Sequence, residues 1–213
     1  MISALNGLLV AVLLINLYSL GTSRIRALIS AVALQGIALG VMPLLAHGHV
    51  TLLTGFIAAA TVLIKGTLIP QILAKALRDA QIKREIEPIV GFLPSILLGA
   101  LGTGVAIALA ARLPLPPGHA QTLIVPAAFS TVFTGFLLLI TRIKAITQAI
   151  GYLVLENGIF IFGLLLLDAM PFFVELGVLL DIFVGIFVIS IIIHHINREF
   201  ASLDTRRLSA LKE

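Results

Sequence analysis

Long apolar runs, broken by short basic or proline-containing connections, set the pattern of this chain. Windows of about 20 apolar residues recur seven times, at roughly 4–20, 26–46, 50–74, 88–111, 122–140, 145–167 and 171–193. Runs of this length read as helices that cross a bilayer, because a helix satisfies its backbone N–H and C=O groups internally where there is no water. The pattern therefore predicts an all-α polytopic membrane protein with seven transmembrane helices. Composition agrees: 60% of the 213 residues are hydrophobic and only 11% are charged, more apolar surface than a soluble core can hide. The first run starts at Met1 with no basic n-region and no small-residue cleavage site, so it reads as a retained helix rather than a signal peptide.

The basic residues then orient the chain. Arg24 and Arg26 follow the first run, Lys75, Arg78, Lys83 and Arg84 the third, and Arg142 and Lys144 the fifth. Arg198, Arg206, Arg207 and Lys212 follow the seventh, whereas the even-numbered connections hold only Arg112. By the positive-inside rule the N-terminus lies outside and the C-terminus in the cytoplasm. The excess of basic residues is explained by these loops, which attract anionic lipid headgroups, and requires no nucleic acid. Cysteine is absent, which excludes disulfides, CxxC chemistry and thiolate-held iron–sulfur clusters in this chain. The chain also lacks a phosphate loop, a nucleophile elbow and an HExxH motif. On its own it is not expected to be an enzyme.

An internal repeat organises the helices. Ser23-Arg-Ile-Arg-Ala-Leu28 leads into the second run as Thr141-Arg-Ile-Lys-Ala-Ile146 leads into the sixth. Leu34-Gln35-Gly36-Ile37 resembles Leu155-Glu156-Asn157-Gly158-Ile159, and Val62-Leu-Ile-Lys65 resembles Val178-Leu-Leu-Asp181. Both units start on the same side because the fourth run is an odd helix between them, which gives a parallel 3+1+3 pseudo-repeat. The expected parts are an N-terminal three-helix unit (1–87), a linker helix with an external loop (88–121), a C-terminal three-helix unit (122–197) and a cytoplasmic tail (198–213). Leu113-Pro-Leu-Pro-Pro-Gly118 belongs to the external loop, since its prolines cannot continue a helix.

Charges inside the runs point to chemistry. Glu156 falls near the middle of the sixth run, Asp181 near the middle of the seventh, and Lys65 within the third. An Asp at the centre of a membrane helix costs about 3 kcal/mol on the insertion scale, so acids that persist there usually pair, line water or pass protons. Desolvation tunes a carboxyl toward neutrality, where it can take up and release a proton. Glu156 and Asp181 are therefore candidate relay groups. The competing reading makes them hydrogen-bonded glue between helices. Glu175 lies nearer the external end, roughly 120° around the helix from Asp181, and is equally suited to solvent. Lys65 either pairs with a carboxylate or titrates itself, and Gly66 and Pro70 beside it invite a bend. Gln35 and Asn157 are the polar side chains that would support these charges. The histidines carry little: His47-x-His49 has no third ligand nearby, and His194 and His195 point about 100° apart on a helix. No metal site is expected.

At Leu155-Glu156 and at Asp181-Ile-Phe-Val-Gly185, the C-terminal half resembles the K-type subunit of respiratory complex I. Asp181 stands where that pattern has Glu. Over its full length the chain resembles component E of hydrogenase-4 and related formate hydrogenlyase complexes. This resemblance implies a non-catalytic membrane-arm subunit in a bacterial or archaeal cytoplasmic (inner) membrane, between quinone-site-like and antiporter-like subunits. Nickel–iron and iron–sulfur centres would belong to a soluble redox arm, with no cofactor in this chain. Glu156, Asp181, Lys65 and Glu175 would contribute to proton translocation coupled to that redox chemistry. Two alternatives stand beside it: a stand-alone 3+1+3 transporter or facilitator, and a purely structural scaffold subunit.

Overall fold

The computed structural model describes residues 2–46, 52–79, 86–114 and 122–165. They form helices α1 (Ile2–Gly21), α2 (Ile25–Ala46), α3 (Leu52–Thr61), α4 (Ile69–Asp79), α5 (Phe92–Ala110), α6 (Ile124–Thr141) and α7 (Ala145–Gly163). A π-helical segment, Val62–Leu68, joins α3 to α4 without a break. Six of the resulting helices are long and apolar enough to cross a membrane. The chain is a multi-pass membrane protein, and these six match the first six apolar runs. The seventh run, with Glu175 and Asp181, lies outside the described residues, as does the tail.

The π segment has a local cause. Pro70 has no N–H to give to the Gly66 carbonyl, and its ring would press on that carbonyl in a regular α-helix. The backbone widens just ahead of it, so that the Ile69 N–H bonds to the Ile64 carbonyl five residues back. Lys65 sits within this widened turn.

The helices pack in two apolar layers. Near the basic connections, Leu20, Ile25, Leu28, Leu73, Leu138 and Ile150 form one cluster. At the opposite end, Leu9, Leu39, Met42, Ile124 and Ile161 form another. Helix α5 stands on the outside with Leu93 67% and Leu101 66% exposed, a surface suited to lipid. It begins four residues later than the apolar run at 88, because the segment before it is used for bonding. There the Ile86 N–H donates to the Ser23 carbonyl, Ile89 to Thr141 and Ile143 to Glu87. This segment is a strap between the ends of α1 and α6, which carry the two copies of the basic motif.

Close crossings bring the central helices together. A Cβ at Gly36 of α2 would stand 2.6 Å from the Lys65 carbonyl carbon, and one at Gly66 would stand 2.7 Å from Ile37 Cγ1. On α7, a Cβ at Gly158 would lie 2.6 Å from the Val132 backbone nitrogen of α6. Gly36→Ala is thus expected to cost about 1–3 kcal/mol, as overpacking does. Gly7→Ala, which meets nothing within 4 Å, is expected to be neutral or slightly stabilising. Thermal unfolding in detergent compares the two.

Candidate functional site

A polar layer crosses the bundle between the two apolar clusters. On α1, Asn16 lies between Leu9 and Leu20; on α2, Gln35 lies between Leu28 and Leu39. Thr131 takes the same level on α6, Glu156 and Asn157 on α7, and Lys65 in the π segment. All six are buried, with Lys65 6% and Glu156 8% exposed. An apolar chain would place leucine at such positions, so every polar atom here needs a partner.

The partners are found across helices rather than along them. Lys65 Nζ lies 3.4 Å from Glu156 Oε1 and donates to Asn157 Oδ1, also at 3.4 Å. Asn157 Nδ2 donates to Gln35 Oε1 at 3.2 Å, and Gln35 Nε2 donates to Asn16 Oδ1 at 2.6 Å. Asn16 Nδ2 then donates to Thr131 Oγ1 at 2.9 Å, whose hydroxyl bonds to the Ala127 carbonyl at 2.6 Å. The Phe160 ring centroid lies 5.4 Å from Lys65 Nζ, close enough for a cation–π contact. Five elements of the fold are thereby joined through one hydrogen-bonded layer.

Backbone geometry explains why the ion pair forms. The widened turn presents Lys65 to α7, and Gly36 lets α2 approach that turn at backbone contact. A larger residue at Gly36 or Gly158 would push apart the helices whose side chains meet.

A second buried charge stands at the basic end. Arg142 is 0% exposed. Its Nη2 donates to the Leu20 carbonyl at 2.7 Å and its Nη1 to the Val90 carbonyl at 3.1 Å. Its guanidinium carbon lies 5.3 Å from the Phe92 ring centroid. Burial pushes this guanidinium below its ordinary pKa, but an arginine stays charged in proteins. Arg142 ties the end of α1 to the strap and to the end of α6. Its neighbour Lys144 pairs with Glu87 at 3.1 Å on the exposed side of the strap.

Of the residues selected from sequence, Lys65, Glu156, Gln35 and Asn157 come together in one place. Glu175 and Asp181 fall outside the described residues. Among the described residues, no group of three or more His, Cys, Asp or Glu side chains is placed to hold a metal.

No family model matches the chain, and neither does any solved structure. It is, however, 32% identical over 195 residues to the uncharacterized protein Rv0085 of Mycobacterium tuberculosis, covering 89% of this chain and 87% of that protein. The chain belongs to the Rv0085 family. In this member of the Rv0085 family, sequence reasoning missed Asn16, Thr131 and Arg142. Asn16 is an uncharged residue in an apolar helix that also holds Asn6, a signal that a search for charges passes over. In sequence Arg142 reads only as a loop charge, and nothing in its spacing separates it from the exposed Arg24 of the matching motif.

Proposed function

We propose that this protein is a non-catalytic membrane-arm subunit of a hydrogenase-4 or formate hydrogenlyase-like, complex I-related assembly. In this reading it contributes buried charges to a proton path driven by redox chemistry in partner subunits. The observation that carries it is the Lys65–Glu156 ion pair, 3.4 Å apart in a polar layer between two apolar clusters. A carboxylate and an ammonium at that depth form a unit able to take up a proton on one side and release it on the other, once a neighbouring charge moves. The acid belongs to the Leu155-Glu156 motif on which the resemblance to the K-type subunit rests. The parallel 3+1+3 plan, the outside N-terminus and the cytoplasmic C-terminus are parts of the same proposal. They are supported by the strap, which binds the ends of α1 and α6 at the basic face.

The assembly is tested by pulling the tagged chain from its native membrane in mild detergent and identifying what accompanies it by mass spectrometry. Recovery of antiporter-like subunits and a nickel–iron or iron–sulfur arm is the expected result. Recovery of the chain alone, or only with copies of itself, would overturn the reading in favour of an independent transporter.

A further inference from the structure

We infer that Asn16 is a positioning residue, which holds the Lys65–Glu156 pair in place through a hydrogen-bond chain of fixed direction. The inference deepens the proposed proton role of that pair and rests on it; what carries it is the order of donors and acceptors. An ammonium has only donors, so the Asn157 atom that faces Lys65 at 3.4 Å is the carbonyl oxygen. The Asn157 amide nitrogen is then left to donate to Gln35 Oε1. Gln35 in turn presents its nitrogen to Asn16 Oδ1, and Asn16 presents its nitrogen to Thr131.

The far end imposes the same order independently. The single proton of the Thr131 hydroxyl goes to the Ala127 carbonyl, so its oxygen accepts from Asn16. Flipping any one of the three amides sets like atoms against each other at both of its contacts. The chain therefore has one satisfied arrangement, with an oxygen on the Lys65 ammonium.

This arrangement divides the work within the layer. Carboxamides do not titrate in the range of protein acids and bases, so Asn157, Gln35 and Asn16 form a fixed row of dipoles and not a proton wire. Proton exchange is confined to the Lys65–Glu156 end. Asn16 touches neither charge; it acts on them through Gln35 and Asn157. Hydrogen bonds in series polarise one another at low dielectric, so a break at Asn16 reaches the ammonium two amides away.

The test is the Lys65 ammonium signal in the full-length, ¹⁵N-lysine-labelled protein in phosphatidylethanolamine–phosphatidylglycerol nanodiscs, assigned by its loss in Lys65→Arg. Asn16→Leu and the near-isosteric Thr131→Val are expected to speed exchange of the ammonium protons with water by about tenfold, the scale of one lost buried hydrogen bond. Thr131→Ser keeps the hydroxyl and is expected to match the wild type. Unchanged exchange in Asn16→Leu would overturn the positioning role. So would Thr131→Ser behaving like Thr131→Val, because the site would then need bulk rather than a hydrogen bond. The readout requires no proton translocation, so failure of the proton role itself would appear separately, as normal translocation in a Glu156 variant whose Lys65 signal still responds to Asn16.

Discussion

Replacing Lys65 by Met is expected to destabilise the bundle by about 3–5 kcal/mol, the loss typical when one partner of a buried ion pair is removed. Glu156 would remain 8% exposed without the ammonium 3.4 Å away, and Asn157 Oδ1 would lose a charged donor. Adding Glu156→Leu is expected to recover most of the loss, since a matched apolar pair removes the desolvation cost together with the attraction. Unfolding in graded sodium dodecyl sulfate measures all three proteins. Equal midpoints for the wild type and Lys65→Met would show that the pair contributes little to the fold.

Arg142→Met comes next, with an expected loss of about 3 kcal/mol from two hydrogen bonds made by a charged group. Its guanidinium reaches Leu20 and Val90 at once, and each carbonyl belongs to a different part of the chain. Arg142→Lys is expected to rescue little, because an ammonium on a flexible stem lacks the planar fork that spans the two acceptors. Arg24→Met removes the matching residue of the other motif, which is exposed, and is expected to change stability by no more than about 0.5 kcal/mol. The same detergent titration separates these variants. Similar losses at Arg24 and Arg142 would mean that net charge, and not the bonds to the strap, holds this end together.

The difference between those two arginines shows where the sequence stops being legible. Six helices could be read from their apolar runs, because a membrane helix needs only length and the absence of charge. Lys65 and Glu156 stand out because a charge is costly where they lie, and Gln35 because it aligns with Glu156 in the repeat. Their meeting was not legible, since it depends on helix crossings set by Gly36 and Gly158 and on the widening ahead of Pro70. A bend near Gly66 and Pro70 was readable from proline chemistry, but not that it would take the form of a π turn. Asn16 and Thr131 were hidden by being neutral, and Arg142 by belonging to a motif whose other copy faces solvent. From sequence the strap at Ile86–Val90 reads as part of the fourth run and its approach, because Ile89 and Val90 are as apolar as the helix they precede.

The role proposed for the buried pair is to move protons. Its most direct test is redox-driven proton translocation by the intact complex carrying Glu156→Gln, measured with a pH-sensitive dye in inverted membrane vesicles. Glutamine keeps the shape of the side chain and much of its hydrogen bonding but cannot carry a proton. Yield is expected to fall, because Lys65 loses its charged partner, while proton translocation per assembled complex is lost or strongly reduced. Wild-type translocation by the assembled Glu156→Gln complex would contradict the proposed role and leave Glu156 as a structural contact between helices.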